Sequence, residues 1–188
     1  FAGYGIVAPA AEGHPEYDSF VHLDVKDKWI LVFRYLPGQI TPEQRQQWAR
    51  YSSLRFKTMV ARDKGARGLI VVSGPNSEFK HQLVKLQIDG TLSGSSLPVI
   101  SITDEVAEKL LASSGQTLQK LQDRLDTGEP MMGFPLTDVE LSVSVDIQQI
   151  KMEGRNVLGR LHASDQPSDQ VVVVGAHIDH LGKGPGGS

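Results

Sequence analysis

Two histidines and an aspartate near the end of the chain have the side chains and the spacing of a metal or catalytic site. His177, Asp179 and His180 follow four consecutive valines at 171–174 and precede a glycine-rich stretch at 182–187. Imidazole nitrogen is a good zinc ligand, and carboxylates bind zinc or orient its ligands. Side chains two apart on an extended strand point the same way, so His177 and Asp179 can share a site. A polar strand end and a mononuclear site built from all three residues remain open alternatives.

The valines that precede this cluster predict a strand over 171–176, buried on both faces as in the middle of a parallel sheet. Ligands in open α/β sheets bind just past the carboxyl ends of the strands, which is where the cluster lies. Two further strands are predicted before it: an alternating, half-exposed one over 139–147 and a second over 156–161. The glycine-rich stretch lacks the spacing of a phosphate-binding P-loop.

The first two thirds of the chain predict strands that alternate with helices. The strands are expected over 2–8, 29–35, 68–74 and 97–102. One helix is expected from Thr41, the first residue of a capping box with Gln44, to Lys64, with Gly65 as a left-handed stop. Two shorter helices follow. Their inward side chains are expected to be Val106, Leu110 and Leu111 in the first, and Leu118, Leu121 and Leu125 in the second.

Glycine and proline at 128–135 mark a domain boundary. We predict a first domain over 1–130, a linker over 131–137 and a second, incomplete domain over 138–188. Residues 1–128 contain no recognisable catalytic constellation, which favours a binding or spacer role. Loop-rich stretches at 78–81 and 93–96 could line a binding groove.

The composition fits a globular protein and excludes several classes. The 188 residues are 39% hydrophobic and carry a formal net charge of −3, without the basic bias of a nucleic-acid-binding protein. No run of eighteen apolar residues predicts a membrane span. The absence of cysteine excludes disulfides and thiolate metal sites. Phe1 is not an initiator methionine, and we expect both ends to be cut from a longer chain.

The chain resembles a known family at several points. The segment 175–182, with the valines before it and the stretch 155–159, resembles the opening of an M28-family zinc aminopeptidase domain. The preceding part resembles a protease-associated (PA) domain, through the stretches 3–9, 17–18 with 23–28, 61–72 and 97–102. The resemblance covers nearly the whole chain. It implies an α/β (α+β) fold, in which a PA-like β-sandwich or open barrel with flanking helices precedes the first strands of a truncated α/β zinc-peptidase domain.

The resemblance also implies roles for individual residues. His177 matches a ligand of one of two zinc ions, Asp179 matches an active-site acid that supports this ligand, and His180 matches a histidine outside the first metal shell. The other ligands and the general base would lie beyond Ser188. Two such zinc ions activate a bridging water for attack on a peptide bond. The fragment itself is therefore expected to hold zinc weakly and to be inactive.

The leading hypothesis is an accessory PA domain plus the first piece of a secreted, periplasmic or cell-surface aminopeptidase. Its partner would be a peptide or protein substrate, with no nucleic acid and no membrane span, and the ligand of the PA domain is left open. The alternative is a stand-alone PA-like binding module without catalytic activity.

Overall fold

The computed structural model describes residues 1–11, 13, 15–79, 82–85, 97–146, 155–161 and 171–177. The chain divides into two compact units, Phe1–Asp146 and Ile147–Ser188. Residues 131–137, predicted as a linker, fall within the first unit, where Met131, Phe134 and Leu136 pack against the core.

The described part of the first unit is a mixed α/β structure with two small sheets and four α-helices, which confirms the predicted class at this level. No closed barrel is present among these residues, and the PA-like sandwich or barrel stays a prediction. The elements in chain order are β1 Val7–Ala8, β2 Tyr17–Asp18, β3 Trp29–Phe33, α1 Pro42–Ala49, α2 Leu54–Asp63, β4 Gly68–Val72, β5 Val99–Ile102, α3 Asp104–Leu111, a 3-10 turn Ala112–Ser114 and α4 Leu118–Asp126.

The main sheet is parallel, in the order β3-β4-β5. Side chains of β3 and β4 alternate between two hydrophobic clusters, one on each face, so both strands are buried on both sides. The free edge of β3 is covered by the first residues of the chain, where the Ala2 N–H donates to the Leu31 carbonyl at 3.0 Å. The short β1 and β2 pair antiparallel.

The helix predicted from Thr41 to Lys64 is wrong in one respect, because the structure contains two helices. The capping box is confirmed: the Thr41 hydroxyl accepts from the Gln44 N–H at 3.2 Å, and the Gln44 side chain accepts from the Thr41 N–H at 3.1 Å. The chain then leaves the helix after Ala49 and restarts at Ser53, whose hydroxyl accepts from the Phe56 N–H at 3.2 Å. Serine competes for backbone hydrogen bonds and so favours a cap over a helix interior.

The helices after β5 follow their predicted apolar faces with one exception. Leu111 in α3 and Leu118, Leu121 and Leu125 in α4 are buried as predicted. Val106 is exposed, and Ala107 is buried in its place. Ala107 and Leu111 lie one turn apart on the same face, since residues four apart in a helix are neighbours. The predicted left-handed stop at Gly65 is confirmed, and Gly115 after the 3-10 turn also has a positive φ.

The three strands predicted beyond residue 138 are not formed in the described residues. In 139–146 the exposure alternates as the pattern predicts, with Val139, Leu141 and Val143 half-buried, but no ladder partner is present there. In the second unit, the described residues of 156–161 and 171–176 form no strand, and the four valines are 81–91% exposed. A buried strand requires hydrogen-bonded neighbours and a covering layer, and the described residues of this unit supply neither.

Candidate functional site

The histidine–aspartate cluster predicted from the sequence is only partly described. His177 ends the segment 171–177 and is exposed, while Asp179 and His180 lie outside the described residues. The described part of the chain contains no group of three His, Cys, Asp or Glu side chains that could hold a metal ion. One imidazole does not make a zinc site, because zinc takes at least three protein ligands. The roles of His177 and Asp179 therefore stay predictions.

Polar side chains do converge elsewhere, at the carboxyl ends of β3 and β4. The segments that leave these strands meet the last turns of α4 and the first turn of the chain. The structure joins them by a set of hydrogen-bonded side chains and backbone groups that we call the edge network. Its members are Tyr4, Gly38, Lys57, Asn76, Gln122 and Asp126.

Asp126 is the acceptor at the centre of the edge network, and it is only 3% exposed. Its Oδ1 accepts from the Tyr4 hydroxyl in a short hydrogen bond and from the Gly38 N–H at 2.9 Å, and its Oδ2 accepts from the Asn76 side chain at 2.9 Å. A buried carboxylate is costly unless it is hydrogen-bonded. Three donors meet this requirement, and together they fasten three distant segments to the end of α4.

Gln122 lies one turn before Asp126 and also binds the loop that follows β4. Its Oε1 accepts from the Asn76 backbone N–H at 2.9 Å, and its Nε2 donates to the Tyr4 hydroxyl at 3.3 Å. The loop turns at Gly74, which has a φ of +87°. A Cβ at this position would lie 2.8 Å from the Phe33 ring and 2.8 Å from the Gln122 Cδ, so only glycine fits there.

Tyr4 connects the carboxylate with the interior. Burial, and secondarily the hydrogen bond to Asp126, raises the pKa of the Tyr4 hydroxyl above its ordinary value. The hydroxyl therefore stays protonated and remains a donor to Asp126. Its ring lies against a cation, since the Lys57 ammonium is 5.8 Å from the ring centroid.

Lys57 projects from α2 and is fully buried. Its Nζ donates to three successive carbonyls at the end of β3, those of Phe33 at 2.9 Å and of Arg34 and Tyr35 at 3.0 Å each. Burial lowers the pKa of Lys57 to about 7. The ammonium has three donors and all three are used, so the side chain fixes the course of the chain as it leaves the sheet.

The outer side of the same loops carries apolar and cationic side chains. The Arg34 guanidinium lies over the Tyr35 ring at 4.9 Å, and the Tyr35 and Phe79 ring centroids are 6.3 Å apart. Phe79 is 48% exposed, and Leu83 on the following segment is 51% exposed. We call Arg34, Tyr35, Phe79 and Leu83 the edge surface. Side chains of this kind, held on a scaffold, are suited to recognition.

A cleft lies at the opposite, amino ends of the strands. This cleft of about 710 Å³ is bordered by Trp29 and Arg67 at the amino ends of β3 and β4, and by Phe134, Leu141 and Val143 on the segment that follows α4. Its volume is in the range of small-ligand sites. Its walls carry no convergent set of catalytic side chains among the described residues.

Sequence reasoning missed the edge network. Its one local signal is a polar residue on an apolar helix face: Gln122 shares the buried side of α4 with Leu118, and Lys57 shares that of α2 with Ala61. A lysine is rarely buried unless its ammonium is paired, so Lys57 on the apolar side of α2 is the clearest sequence signal of the edge network.

Comparisons with known proteins returned no match, whether against protein-family models, the curated proteins or the solved structures. Within the described residues, no helix has the length and apolar character needed to cross a membrane.

Proposed function

We propose that residues 1–130 form a protease-associated accessory domain that binds a peptide or protein chain, and that residues 138–188 begin a zinc-dependent aminopeptidase domain. The observation that carries the binding half is the edge surface, where Phe79 is half exposed beside the Arg34–Tyr35 pair. The aminopeptidase half rests on the order of the sequence motifs, from the stretch 3–9 to His177 and Asp179.

The internal hydrogen bonding of the edge network supports binding rather than chemistry for the first domain. The carboxylate of Asp126 is occupied by three donors, and the ammonium of Lys57 is occupied by three carbonyls. A general acid or base must lie within hydrogen-bond reach of a substrate proton. Groups that are buried and fully hydrogen-bonded within the protein do not meet this condition, whereas they hold two loops in fixed positions for recognition.

A stand-alone binding module is the second candidate. The observation in its favour is that the edge network and the edge surface are both built from residues of the unit Phe1–Asp146. Such a module would bind its partner without any contribution from the second unit, and the cluster at His177 would then have no catalytic role.

Peptidase activity decides between the two candidates. The natural product of the reading frame that encodes this chain would be assayed on aminoacyl p-nitroanilides, after chelation and after readdition of zinc. We expect activity that is lost on chelation, restored by zinc and abolished by His177→Ala, with His162→Ala as the matched control. A product with no zinc-dependent activity, or activity that His177→Ala leaves unchanged, would refute the aminopeptidase and leave the binding module.

A further inference from the structure

The edge surface lies where the chain leaves β3 and β4, and its members are fixed by hydrogen bonds to the backbone. The carbonyls of Arg34 and Tyr35 are held by the Lys57 ammonium. The Phe79 N–H donates to the Ser77 hydroxyl at 3.2 Å. Phe79 is thus exposed on an ordered turn, so a ligand that covers it does not have to order the loop first.

The segment that carries Leu83 is held on both sides. The Ser73 hydroxyl at the end of β4 donates to the Gln82 carbonyl at 3.3 Å, and the Val84 N–H donates to the Ser101 hydroxyl of β5 at 3.0 Å. Leu83 is therefore presented at the same ends of the strands as Phe79. The Tyr35 and Phe79 rings lie beside each other, and Leu83 adds a second half-exposed apolar side chain at these strand ends.

The edge surface carries one cation, Arg34, and a lysine follows it on the segment of Leu83. The Arg34 guanidinium stacks on Tyr35 and forms no ion pair with another described residue. An arginine stacked on an aromatic face keeps its N–H edge available, and this edge fits a carboxylate with two parallel hydrogen bonds. Lys85, two residues beyond Leu83, is a second exposed cation, and Glu78 beside Phe79 is an exposed acid.

We propose that the edge surface binds an extended peptide segment in which a carboxylate side chain adjoins an aromatic or large aliphatic one. The carboxylate pairs with Arg34, and the neighbouring apolar side chain covers Phe79 and Leu83. The proposal rests on the binding role assigned above to the first domain, and it adds the location of the site and the chemistry of the partner.

The test uses the full chain and fluorescence anisotropy of three labelled peptides. The first is Gly-Ser-Asp-Phe-Glu-Leu-Ser-Gly, the second has lysine in place of both acids, and the third has serine in place of phenylalanine and leucine. We expect saturable binding of the first peptide and about tenfold weaker binding of each of the others. Equal binding of all three would overturn the proposal, as would binding to anionic phosphatidylserine vesicles in place of the peptides.

Variants locate the site. We expect Arg34→Gln, Phe79→Ser and Leu83→Ser each to weaken binding of the first peptide by about tenfold. Arg62→Gln and Val21→Ser change exposed residues of the same types elsewhere on the unit and should leave binding unchanged. If the first three variants bind as tightly as the unaltered chain, the edge surface is not the site. Zinc-dependent peptidase activity is measured separately, so failure of this proposal is distinguishable from failure of the aminopeptidase.

Discussion

The hydroxyl of Tyr4 donates to the buried carboxylate of Asp126, which is 122 residues away in the sequence. This bond joins the beginning of the first unit to its last helix, because Tyr4 follows the segment that covers the edge of β3, and Asp126 ends α4. The same carboxylate holds Gly38 and Asn76, so the segments that leave β3 and β4 depend on it. The loops that carry Tyr35 and Phe79 are thus tied to one buried carboxylate.

Replacing the central carboxylate should be costly. In Asp126→Asn one acceptor oxygen becomes a donor and faces groups that also donate, so we expect a loss of about 2–4 kcal/mol in the free energy of unfolding. Asp123→Asn is the matched control, since Asp123 also accepts from Asn76 but is exposed, and it should cost less than about 0.5 kcal/mol. Urea denaturation followed by tryptophan fluorescence measures both. Equal losses would mean that the buried carboxylate does not hold the fold together.

The turn after β4 should tolerate no side chain. In Gly74→Ala the new Cβ meets the Phe33 ring and the Gln122 Cδ at 2.8 Å each, in addition to a φ of +87° that alanine adopts poorly. We expect a loss of about 3 kcal/mol or more. Gly115→Ala measures the cost of the positive φ alone, because Gly115 has a φ of +69° and a Cβ there would meet nothing within 4 Å. Gly115→Ala should cost about 1–2 kcal/mol, and a similar value for both would contradict the steric argument.

Local patterns predicted the elements whose signals lie within a few residues. The strands at β3 and β4, the capping box at Thr41 and the apolar face of α4 are of this kind. The break at Ser53 was visible only as a slip in the apolar spacing between Leu54 and Phe56. The single helix expected over 41–64 is therefore divided by a serine cap that the apolar spacing does not specify.

The edge network and the late strands needed information that is not local. Asp126 finds its donors at Tyr4, Gly38 and Asn76, and no spacing rule connects these positions. The alternation over 139–147 predicts which side chains are half-buried but cannot supply a neighbouring strand. The valines at 171–174 favour burial by their type, and burial depends on partners that their own sequence does not specify.

Zinc binding tests the prediction that this chain holds too few ligands. We expect isothermal calorimetry of the 188-residue chain to show weak zinc binding, no tighter than a pair of surface histidines provides, because a zinc site takes at least three protein ligands. His177→Ala should change the weak signal little. Tight binding of one zinc ion that is lost in His177→Ala would mean that the chain contains a complete mononuclear site.

The buried ammonium should give stability a measurable dependence on pH. Burial lowers the pKa of Lys57 from 10.5 to about 7, so between these values the unfolded chain binds more protons than the folded one. The free energy of unfolding should therefore rise with pH in this window, by up to about 1.4 kcal/mol per pH unit.

The measurement is urea denaturation between about pH 8 and about pH 9.5, below the range in which tyrosines titrate. Lys57→Met removes the titrating group and keeps most of the volume, so its stability should rise less steeply with pH than that of the unaltered chain. Parallel curves would mean that the three carbonyls of 33–35 hold the ammonium charged throughout this range. In that case the end of β3 is fixed by a permanent cation, and the edge surface above it keeps its shape at every pH in the window.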